Sequence, residues 1–69
     1  MVNAQTRIQV GQVFRDEEID QNAIVTGFGA SQDETTVQLS YIDEGNRGGE
    51  FSMPIFKERF AGPLSIQIE

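Results

Sequence analysis

The chain has 69 residues, 38% of them hydrophobic, with no cysteine and no histidine. That length holds one domain, near the lower limit for a core without staples; the composition excludes disulfides, Cys/His zinc sites, a histidine base and a cysteine nucleophile. Eleven acidic against five basic residues give a net charge of −6, which disfavours direct nucleic-acid binding, because non-specific affinity needs Lys and Arg to displace counterions.

Along the chain, alternation of apolar and polar residues is the main signal. Ile8 and Val10 alternate, Gly11 interrupts, and Val13-Phe14 resumes with the parity changed, which is the pattern of a bulge or sharp bend. A polar loop, Asp16 to Asn22, follows with Ile19 as its one apolar anchor. The second strand runs from Ala23 to Phe28, and its facing is ambiguous: Ile24 and Phe28 share one side while Val25 takes the other. Gly27 and Gly29 weaken it and suggest the close approach of another backbone.

After a loop at Ala30–Glu34, the third strand spans Thr35 to Ile42, with Val37, Leu39 and Tyr41 on one face and Thr36, Gln38 and Ser40 on the other. This is the pattern of a half-buried strand. Asp43 to Gly49 is rich in residues that accept positive φ and closes a hairpin. A fourth strand carries Phe51, Met53 and Ile55 in alternation, with Pro54 marking an edge or an end. Ile55 to Gly62 reads as one or two helical turns in which Phe56 and Phe60, four apart, share a face that belongs to the core. The last strand is Leu64, Ile66 and Ile68 alternating with Ser65 and Gln67.

The order is strand, strand, strand, strand, short helix, strand. Short strands bury little unless the sheet curls on itself. The expected fold is therefore all-β: one domain over residues 1–69, a small five-stranded SH3-like barrel with a short helical turn before the last strand. An OB-like barrel is the runner-up, and a small open sheet that dimerises is a further alternative.

Val10-Gly11-Gln12-Val13-Phe14-Arg15, together with Tyr41 and the stretch Glu50 to Phe60, resembles the Val-Gly-x-Val-aromatic-basic opening and the aromatic, Pro and Phe ending of small uncharacterised SH3-like domains of bacteria and phages. The resemblance covers about half the chain. It implies the SH3-like fold and no activity; encoding by a phage or other mobile element is an expectation that goes with a binding-module function. Where those domains carry Arg before the proline, this chain has Met53, and no His follows Phe14, so no ligand role is carried over.

The residues that remain for chemistry are carboxylates, hydroxyls, Tyr41, Lys57 and the arginines. Asp16, Glu17, Glu18 and Asp20 collect oxygen ligands in one loop, but not in the spacing of a calcium loop, and a solvated acidic loop explains them better. Gly45-Asn46-Arg47-Gly48-Gly49 is neither a phosphate loop nor an RNA-binding tract. The expectation is no enzyme, no cofactor and no metal, with an oligomeric enzyme whose site lies between subunits as the remaining alternative. The absence of cysteine, of a long apolar stretch and of an apolar leader gives a cytoplasmic expectation.

The function expected is protein binding through loops and strand edges, with an unidentified and preferably basic protein as the partner. The candidate contacts are the loops at Asp16–Asn22, Ala30–Glu34 and Asp43–Gly49, and within or beside them the residues Asp16, Glu17, Tyr41, Asp43, Glu44 and Arg47. A DNA-mimic inhibitor of a DNA-binding protein, and a self-associating subunit such as a homodimer, are the alternatives.

Overall fold

A computed structural model of the protein describes residues 7–42 and 47–64. Its elements are β1 (Val13–Asp16), β2 (Gln21–Ser31), β3 (Glu34–Tyr41), β4 (Arg47–Ser52), α1 (Met53–Arg59) and β5 (Phe60–Ala61). The strands form one antiparallel sheet in the order β4-β3-β2-β1-β5, curled into an SH3-like half-barrel.

The bend expected at Gly11 is a turn. Gly11 takes a φ of 97°, which a residue with Cβ rarely adopts. Its N–H donates to Val25 O, and Gln12 O accepts from Val25 N–H, so pairing with β2 begins ahead of β1 itself.

The structure explains why the second strand had no clear facing. β2 carries a β-bulge at Thr26: Val25 lies opposite Leu39, yet Gly27 lies opposite Gln38. The extra residue shifts the side-chain phase, so Ala23 and Val25 before it and Phe28 after it all meet the core face of β3. Phe28 sits across from Val37, which in turn faces Phe51 on β4. The predicted loop at Ala30–Glu34 is tighter than expected. β2 and β3 stay paired out to Ser31 and Glu34, and the turn is Gln32-Asp33, both at positive φ (51° and 66°). Two central residues with positive φ match the twist of the flanking strands.

Two expectations near the end of the chain are corrected. Met53 and Ile55 do not belong to a fourth strand: α1 starts at Met53, with Pro54 in its first turn. Proline ends a ladder by lacking an N–H, and the same lack costs nothing at a helix start. Lys57 and Arg59 in the last turn suit the negative end of the helix dipole. Among the described residues the strand after the helix is Phe60–Ala61, which pairs with Asp16 and Arg15 of β1; the predicted last strand begins beyond it, at Leu64. Leu64 N–H donates to Val13 O at 2.8 Å; the rest of the predicted last strand, 65–69, lies outside the described residues. Gly62 does not end the helix either. It follows β5 directly, at φ 137°, where a Cβ would stand 3.1 Å from the Phe14 ring.

The core lies in the curl of the sheet under α1. Phe14, Ala23, Val25, Val37, Leu39, Tyr41, Phe56 and Phe60 are buried together. Phe56 meets Phe14 edge-on at 4.8 Å and stacks on Phe60 at 4.9 Å between centroids, so the phenylalanine pair four residues apart is core, as its spacing indicates.

Candidate functional site

The six contact residues expected from the sequence divide into three groups. Asp43 and Glu44 lie outside the described residues. Glu17 and Arg47 are exposed: Glu17 N–H donates to Arg59 O at 3.0 Å, and Arg47 opens β4 across from Tyr41. Asp16 and Tyr41 turn inward instead of outward, being 0% and 4% exposed.

The last two meet a residue 43 positions from Asp16. Arg59 grips the Asp16 carboxylate with Nε to Oδ1 and Nη2 to Oδ2, each at 2.8 Å. Tyr41 Oη donates to Oδ2 at 2.7 Å, and Glu18 N–H donates to Oδ1 at 3.1 Å. The guanidinium also lies 4.7 Å from the Phe51 ring centroid. Burial would raise the Asp16 pKa, but hydrogen bonds from Arg59, Tyr41 and the Glu18 backbone, with the charge of Arg59, outweigh it and hold the carboxyl below its ordinary value. Burial, then the bond to Asp16, pushes the Tyr41 phenol up to about 12, and the bond to Asp16 raises Arg59. Each group therefore keeps its charge state throughout the neutral range. This is a clasp joining β1, β3 and α1, with no group poised to exchange a proton near pH 7.

The acidic turn after β1 is engaged in the same way. Asp16 is held by the clasp, and Asp20 pairs with Arg15, whose Nη1 also reaches Asn22. These carboxylates thus face cations of the protein itself rather than a common centre, which removes the geometric basis for a calcium loop.

A different surface gathers further polar groups. At the far end of the β2–β3 hairpin an open groove of about 520 Å³ is lined by the polar Ser31, Gln32, Glu34, Thr36, Glu50 and Ser52 and by the apolar Ala30, Phe51 and Ile55. Its charged lining residues, Glu34 and Glu50, are both acidic. The register explains the grouping: Ser31 faces Glu34, Thr36 faces Gly29 and Ser52, and Gln38 faces Gly27 and Glu50. Gly29 leaves room for these side chains. A Cβ there would stand 2.7 Å from Glu50 Oε2, 2.8 Å from Thr36 Oγ1 and 3.1 Å from Gln38 Nε2. The glycines of β2 therefore admit side chains, not the second backbone expected from the sequence. Glu50 lies flat across β3, accepting the Thr36 hydroxyl.

Beside the groove runs the margin of the sheet. β4 is its terminal strand, and among the described residues no strand pairs with its outer side. In an antiparallel ladder every second residue points its N–H and C=O away from the partner, so β4 presents such groups along Arg47–Ser52. Gly48 is exposed and Gly49 half-buried, so two adjacent residues place no side chain against an approaching backbone.

The sequence placed Glu34 in a candidate contact loop, Ala30–Glu34, but did not point to Thr36 or Glu50, which lie on neighbouring strands and meet only through register. The signal within reach was the Gly27/Gly29 pair, which marked a crowded outer face. No protein-family model matches the chain, and no curated protein or solved structure matches it.

Proposed function

We propose that the protein is a binding module that takes an extended segment of a partner protein along the outer side of β4. The observation that carries this reading is the terminal position of β4 with its two small residues, Gly48 and Gly49. Strand addition draws affinity from main-chain hydrogen bonds and specificity from side-chain sites beside the edge. Here the edge spans six residues, roughly 20 Å of extended chain. Phe51 packs its ring against Phe60 and Arg59 on the inner side of β4, which fixes the strand in place while its outer edge stays open.

Amide hydrogen exchange with a partner recovered by affinity capture tests the reading. Amides in Arg47–Ser52 are expected to exchange more slowly in the complex. Protection confined to the turn at 17–20, with β4 unchanged, would show that the partner binds elsewhere.

A further inference from the structure

We infer that the segment bound at β4 is basic, with Lys or Arg at alternate positions directed over the outer face to Glu50 and Glu34. This inference rests on the strand-addition reading above and names the chemistry of the partner.

An added strand places every second side chain on the outer face of the sheet, beside Gly48, Glu50 and Ser52. The nearest charged groups on that face are the carboxylates of Glu50 and Glu34, and among the described residues no Lys or Arg lines the groove. The protein as a whole carries −6, so a cationic segment is also steered toward it. Glu50 is folded inward over β3, with its carboxylate beside Thr36 and over Gly29. Between Thr36 on β3 and Gly29 on β2, that carboxylate is two to three strand spacings from an added strand, roughly 10–14 Å, so the longest cationic side chains are needed and Glu50 turns outward to meet them. Their methylenes would run along the floor past Ser52, leaving the head group at the carboxylates. A second copy of this chain is a poor occupant, because antiparallel pairing of β4 with itself brings Glu50 beside another acidic groove and adds a second charge of −6.

The probes are two six-residue peptides capped at both ends, one alternating Lys with Val and Thr, the other with Gln at each Lys position. Each is titrated into the labelled full-length protein while backbone amide shifts are followed. Saturating shifts in Gly48–Ser52 are expected from the basic peptide, with an affinity roughly five- to tenfold above that of the neutral one at low salt, on the order of two exposed ion pairs. The double variant Glu34→Gln, Glu50→Gln should remove that difference and leave the spectrum otherwise folded, since the amide oxygen introduced on β4 still accepts from Thr36. Glu34→Gln alone, a change at an exposed position, should remove part of it. Equal β4 shifts from both peptides would overturn the charge selectivity and leave strand addition standing. Shifts that avoid β4, or none from either peptide up to millimolar concentration, would overturn both.

Discussion

At the residue scale the fold turns on Asp16. A carboxylate that is 0% exposed is tolerable only because Arg59, Tyr41 and the Glu18 N–H satisfy it together. Removing the cation strands a buried charge, which is the costly half of breaking such a pair. Arg59→Ala is therefore expected to lose about 3 kcal/mol, and Tyr41→Phe about 1.5 kcal/mol for one hydrogen bond to a charged group, both read from urea midpoints. The pH dependence follows from direction. The Asp16 carboxyl is held below 3.8 in the folded protein, so the folded state binds its proton less readily than the unfolded chain. That contribution is full above the unfolded value and is lost as pH falls through the folded one. Asp16→Asn should flatten the stability–pH profile below about pH 4; an unchanged acid limb would remove Asp16 from its origin.

At the scale of elements, legibility depended on whether a strand's phase is set within itself. β3 alternates cleanly from Thr36 to Tyr41, and both its faces could be assigned. β2 could not be, because one residue at Thr26 is absorbed by a bulge that exists only against Gln38 and Leu39. Phe51, Met53 and Ile55 alternate like a strand, but Pro54 and the Phe56/Phe60 spacing favour a helix, and the helix starts at Met53. Asp16 and Tyr41 looked like contact residues because each stands next to polar loop sequence. Their partner Arg59 is distant along the chain, and nothing local announces it. The hairpin turn offers a direct check on the assigned register. Gln32 and Asp33 both adopt positive φ, a conformation that Asn-Gly takes most readily. The double change Gln32→Asn, Asp33→Gly should raise stability by about 0.5–1 kcal/mol, a few degrees in melting temperature for a domain of this size. A lowered melting temperature would mean that the hairpin turns elsewhere.

For the whole molecule, the curl of the sheet sorts its polar groups. Those inside, Asp16, Tyr41 and Arg59, neutralise one another and brace the core. Those outside, Glu34, Glu50, Ser31 and Ser52, gather along one groove beside a terminal strand. Among the described residues no helix is long and apolar enough to cross a membrane. In a strand-binding module of the kind proposed, recognition lies at β4, away from the turn after β1 that the sequence made most conspicuous. The most direct measurement is of cross-strand nuclear Overhauser contacts between the labelled protein and a bound, unlabelled partner segment. Strand addition requires inter-chain contacts from the amide or α protons of Gly48, Glu50 and Ser52, or of their alternates, spaced two residues apart along β4. Contacts confined to the turn at 17–20 or to α1, with none along β4, would contradict it.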